Sequence, residues 1–191
     1  MKILNHASIA VPALCAFSLV TPFGATASAH ALIELNGVSA VAGTTSTMTL
    51  EIQHGCLPAE PTVQVETFVG APWRSMKPQA VAGWASTVTR QTNGGWHIIW
   101  TNQGEPIPFG KRTFFPVTVA WPKKSGVYGM SVWQTCANGS SFYWNEKVTP
   151  ATATADSPPL TPKPEVLVMT KSDAAKSAKP SNSATGMDHK H

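Results

Sequence analysis

The chain has little charge and little of what a hydrolase needs. Only 13% of its residues are Asp, Glu, Lys or Arg, and the formal net charge is +4. An excess so small and so thinly spread argues against a surface built on nucleic-acid phosphate contacts. No Gly-x-Ser-x-Gly elbow, His-Glu-x-x-His helix or phosphate-cradling glycine loop occurs, which removes the usual frameworks of serine, zinc and nucleotide chemistry. Between residues 30 and 149 there are six carboxylates, Glu34, Glu51, Glu60, Glu66, Glu105 and Glu146. That leaves few candidates for acid–base work, and the expectation is that the protein is not an enzyme. No apolar run reaches the roughly 20 residues of a spanning helix, so no membrane anchor is expected in the mature chain. No segment shows a convincing helical apolar period.

What is present begins with an export signal. Lys2 precedes a mostly apolar run, Ile9 to Val20, and Ala27-Ser28-Ala29 offers the small residues that a signal peptidase accepts. Residues 1–29 are therefore expected to be removed, with secretion across the inner membrane into the periplasm. Cys15 leaves with them, as does Lys2, so the formal charge falls from +4 to +3. Two cysteines remain, Cys56 and Cys136, and in an exported protein an isolated pair reads as one disulfide.

Composition changes near Pro150. All seven tryptophans precede it, while residues 150–191 are rich in Ala, Ser, Thr, Pro and Lys and hold no aromatic residue. Such a segment buries too little apolar surface to offset the entropy of ordering, so a disordered tail is expected. The folded part is then residues 30–149, one domain of about 120 residues. It reads as all-β, with strands expected at Ala31–Leu35, Ser46–Gln53, Thr62–Val69, Trp84–Arg90, Gly95–Thr101, Thr113–Trp121, Val127–Gln134 and Ser141–Lys147. "TMTLEIQ" and "TVQVETF" alternate cleanly, with Met48, Leu50 and Ile52 on one face and Val63, Val65 and Thr67 on another. Asn93-Gly94-Gly95 and Asn138-Gly139 are hairpin-turn signals. Short strands punctuated this way predict a single immunoglobulin/cupredoxin-like β-sandwich.

Four places carry candidate chemistry. Cleavage after Ala29 makes His30 the first residue, which places a free α-amine beside an imidazole. Their unperturbed pKa values of about 7.7–8.0 and 6.5 mean that a metal displaces few protons near neutrality. Cu(II), at the top of the divalent series, accepts nitrogen ligands at adjacent corners of a square. In "QHGCLPAEP", His54 stands two residues before Cys56 at a strand end. It reads either as a second imidazole ligand or as a polar loop residue. In "VWQTCANGSSFYWNEKV", Trp133 and Trp144 read as core or rim aromatics, or as an indole face near a bound cation. The chain ends "GMDHKH", where Met187, Asp188, His189 and His191 cluster; it reads either as a weak copper scavenger, through its thioether and imidazoles, or as a polar solubilising end.

These pieces stand in a familiar order. "HALIELNGVSAVAGTTSTMTLEIQHGCLPAEPTVQVETF", then "MKPQAVAGW", "WHIIWTN" and "WQTCANGSSFYW" resemble the successive motifs of the YcnI-like copper-binding domain family. Ala80 stands where the family's second proline falls. The resemblance covers His30 to about Thr149. It implies an extracytoplasmic β-sandwich that binds Cu(II) through a brace-like chelate at its N-terminal histidine, with a tryptophan alongside. By position it makes His30 the chelating ligand, Trp144 the adjacent indole, and Cys56 and Cys136 a disulfide. Where family members can supply a carboxylate after the second strand, this chain has His54-Gly55-Cys56. His54 is the first substitute and Glu60 the second.

The expected function is thus copper homeostasis, as chaperone or store, with the copper ion and other periplasmic or membrane copper-handling proteins as partners. Three alternatives use the same residues differently. A copper-dependent oxidative enzyme needs further ligands and an open position. A blue-copper carrier needs two histidines and a thiolate, for which His54, Cys56 or Cys136, and Met130 are the available set. A metal-free adhesion or assembly module needs none of them.

Overall fold

Alternation, rather than propensity alone, decides which way each strand faces. In the computed structural model, which describes residues 31–56, 59–147 and 161–178, the Thr45–Ile52 strand buries Met48, Leu50 and Ile52 completely. In chain order the elements are β1 (Ala31–Glu34), β2 (Thr45–Ile52), β3 (Thr62–Val69), β4 (Ser75–Pro78), β5 (Trp84–Arg90) and β6 (Trp96–Asn102). They continue with β7 (Thr113–Ala120), β8 (Gly126–Gly129), β9 (Ser131–Cys136), β10 (Ser141–Trp144), β11 (Glu165–Val168) and α1 (Lys171–Ser177). One sheet has the order β1-β2-β7-β4, a second β10-β9-β3-β6-β5, and β8 and β11 form a two-stranded ribbon. Every pairing within these sheets is antiparallel.

The two larger sheets form a β-sandwich. Phe115 of β7 meets Trp100 of β6 at 5.1 Å and Trp84 of β5 at 5.2 Å between ring centroids. Trp73, Trp100, Trp121 and Trp144 are all fully buried, each contributing a large apolar area to the core. Both expected asparagine–glycine turns form. Gly94 and Gly139 have φ of 81° and 84°, the left-handed region that a side chain disfavours and glycine adopts without strain.

Several elements depart from expectation for identifiable reasons. Val63 does not share the inward face with Val65 and Thr67, because the β3–β9 register shifts between Thr62 and Gln64. A bulge there flips the parity. The expected strand Val127–Gln134 is two strands. Buried Met130 donates its N–H to the Pro164 carbonyl at 2.9 Å, and the chain passes from the ribbon into the five-stranded sheet. β4 is short and ends in Pro78 on a sheet edge, where a missing N–H is tolerated.

The boundary at Thr149 is also too early. Val166 and Val168 of β11 are in the core, and Met169 exchanges backbone hydrogen bonds with Ala40 and Ala42. A composition average over the tail conceals this four-residue alternation. Thr170 caps α1, which buries no residue. The rest of the expected disordered segment, 150–160 and 179–191, lies outside the described residues, as does the expected leader, 1–29.

Candidate functional site

The site region is built where β1 meets β2. Ala31 pairs with Ile52, and Leu32 with Glu51, so β1 lies against the end of β2. His30 itself is outside the described residues. It immediately precedes Ala31 in the sequence.

Past Ile52 the strand ends, and residues 53–56 form a loop fixed on every side. Gly55 donates its N–H to the Pro108 carbonyl at 3.1 Å. A β-carbon at Gly55 would lie 2.7 Å from Pro108 C and 2.8 Å from Phe109 N, and would also strike the Ile107 carbonyl. Only glycine allows this close backbone approach. One residue on, Cys56 is bonded to Cys136, with Cα atoms 5.8 Å apart. Both thiols are thereby consumed, which overturns the blue-copper alternative, since it requires a thiolate. A disulfide is consistent with an extracellular or periplasmic setting.

The buried amide of Gln134 ties the loop to β9. Its Nε2 donates to the His54 carbonyl at 3.0 Å and also to Thr62 Oγ1. Thr62 Oγ1 is in turn 3.5 Å from Cys56 Sγ. Gln134 was legible in principle, because alternation in "VWQTC" puts Val132, Gln134 and Cys136 on one face, all three of them buried.

His54 is held from both sides. Its Nδ1 donates to the Gly55 carbonyl, and its ring packs against Phe109 at 5.2 Å with planes 55° apart. A carbonyl only accepts, so the proton is on Nδ1, and in the neutral ring Nε2 carries a lone pair. That Nε2 is buried and has no hydrogen-bond partner among the described residues. A buried polar atom without a partner is costly, and such exceptions call for an explanation.

The other expected ligands are placed differently. Glu60 is half-buried just ahead of β3. Among the described residues no group of three or more His, Cys, Asp and Glu side chains lies close enough to hold a metal ion, so His54 and Glu60 do not make a site unaided. A more deeply buried carboxylate nearby is Glu51, whose Oε1 faces Arg112 Nη1 at 3.1 Å without hydrogen-bond alignment. Trp144 is buried on β10, opposite Val132, with its ring 5.9 Å from that of Phe142. It sits two residues along the sheet, about 7 Å, from the row that pairs Phe142 with Gln134.

A polar pair escaped the sequence reading. His97 Nε2 donates to Glu66 Oε2 at 2.8 Å on the outer face of the five-stranded sheet. It depends on the β3–β6 register, which nothing local encodes.

Among solved structures the fold is shared with an uncharacterized protein from Nocardia farcinica described as immunoglobulin-like. That match has 20% identity and a TM-score of 0.58, covering 69% of this chain and 94% of that one. A cohesin module of a family 33 glycoside hydrolase from Clostridium perfringens matches at 13% identity and a TM-score of 0.51, covering 75% and 96%. Likeness at this identity shows the fold alone. No curated protein matches. Among the described residues no helix is long and apolar enough to cross a membrane. A family model does match, over residues 30–166, and its span runs past Thr149 to buried Val166 in β11. The chain belongs to this family, described as Domain of unknown function (DUF1775) and known as the YcnI-like family.

Proposed function

We propose that the protein is an extracytoplasmic Cu(II)-binding protein, a carrier or store rather than an enzyme. Its metal is chelated by the α-amine and imidazole of the mature N-terminal His30, and His54 supplies a further imidazole. The observation that carries the reading is the state of His54. A ring whose Nδ1–H is given to a backbone carbonyl is the usual outer-shell arrangement of a metal-binding histidine, since it fixes the tautomer and aims the other nitrogen. The unpartnered Nε2 then has a use, because Cu(II) accepts imidazole nitrogen.

Position supports the same reading. His30 is one peptide from Ala31, Ala31 pairs with Ile52, and His54 is two residues beyond Ile52. In this reading Trp144 is the indole flanking the metal, and Glu60, in the segment after the disulfide loop, is the reserve oxygen donor. The protein's contribution is to hold nitrogen donors at fixed positions, which favours Cu(II) over metals that prefer oxygen.

The test is Cu(II) titration of the mature protein beside His54→Leu, which fills the ring's place without a lone pair. Affinity is expected to fall by about 10- to 100-fold. Equal affinity in the two proteins would remove His54 from the site.

A further inference from the structure

The outer face of the five-stranded sheet carries chemistry that copper binding leaves unused. Register sets one row across the strands, with Tyr143 opposite Trp133, Trp133 opposite Glu66, and Glu66 opposite Ile99. Trp133 and Tyr143 are 40% and 43% exposed, with ring centroids 5.1 Å apart and planes tilted by 41°. Beside them Glu66 accepts hydrogen bonds from His97 Nε2 at 2.8 Å and Gln64 Nε2 at 2.7 Å. Phe68, its cross-strand neighbour, stacks on His97 at 4.1 Å and 15°, so the imidazole is oriented by a ring as well as by the carboxylate. Two adjacent aromatic rings left in water beside a prearranged polar cluster form a binding arrangement of apolar surface plus a few placed polar groups.

Charge narrows the ligand. By strand alternation, Glu66 is the only carboxylate that β3, β5, β6, β9 and β10 present on this face, and they present no Lys or Arg there. The remainder is mostly Ser, Thr and Gln, so the face is matched to an uncharged, hydroxyl-rich partner.

We propose that this face binds a neutral β-linked glycan laid across the strands. The C–H faces of successive pyranose rings rest on Tyr143 and Trp133, and the hydroxyls of the next ring reach Glu66 and His97. Neighbouring strands are about 4.8 Å apart, comparable with the advance per sugar in an extended β-1,4-linked chain, so one row of side chains meets successive rings. A proline-rich peptide also packs on tilted aromatics, but it brings few donors for a carboxylate, whereas each sugar hydroxyl both donates and accepts.

The test is calorimetry of the mature protein with cellohexaose, chitohexaose and a proline-rich decapeptide. At least one hexasaccharide is expected to bind. Trp133→Ala and Tyr143→Ala should each weaken it about tenfold or more. Melting curves check that these exposed substitutions leave the protein folded. Cu(II) affinity should be unchanged in both variants, which separates this face from the proposed metal site. The proposal is overturned by the absence of heat with either hexasaccharide at millimolar concentration, by binding of the peptide alone, or by a folded Trp133→Ala protein that binds like the wild type.

Discussion

A chain that keeps Ala27-Ser28-Ala29 ahead of His30 is expected to bind Cu(II) at least about a hundredfold more weakly than the processed form. The extension leaves the imidazole, the β1–β2 pairing and His54 untouched. It converts one group only, the α-amine of His30, into a peptide nitrogen that binds copper only after deprotonation. In the processed chain the amine and the imidazole belong to one residue, so binding of the second is intramolecular. An effective concentration in the millimolar range or above gives gains of about 10² to 10⁴. Calorimetric or competition titration of the two forms measures the difference directly. Because metal and protons compete for the amine and the imidazole, affinity should also fall as pH is lowered.

Replacing Cys56 and Cys136 together by serine is expected to cost more stability than any change on the surface. The bridge closes a sequence separation of 80 residues, for which the chain-entropy model gives roughly 4.5 kcal/mol. For a domain of this size that corresponds to a fall of about 15 °C in Tm. The effect should also reach the metal, because Cys56 is two residues from His54 and the loop between them is anchored on β9 by the bridge and by Gln134. Without the bridge, Gln134 is what still ties the loop to β9 among the described residues, His54 is less fixed, and Cu(II) affinity should drop in the folded double variant. Thermal melts of oxidised wild-type protein and the double variant test the first part; unchanged Tm would mean that the bridge constrains little.

How much of this was legible depends on the range of the signal. Met48, Leu50 and Ile52 announced their face by alternation, and the two asparagine–glycine turns announced hairpins, because both are encoded within a few residues. The bulge at Val63 was not, since a register shift is a property of two strands. β4 was hidden by its length and by Pro78, and β11 by the composition surrounding it. At the site, the Cys56–Cys136 bond followed from a count and a compartment. His54 was visible only as a histidine in a loop. Its tautomer depends on the Gly55 carbonyl, and its burial on Phe109, which is remote in sequence. The Glu66–His97 pair joins residues 31 apart, and only the β3–β6 pairing brings them together.

The central claim is that copper sits on the amino terminus made by export. Electron paramagnetic resonance of the Cu(II)-loaded mature protein, with histidine nitrogens labelled with ¹⁵N, tests it most directly. One copper per chain is expected, with hyperfine coupling to labelled nitrogen that changes when residues 27–29 are retained. A spectrum that is the same in both forms, or that lacks histidine coupling in the mature one, would contradict the account.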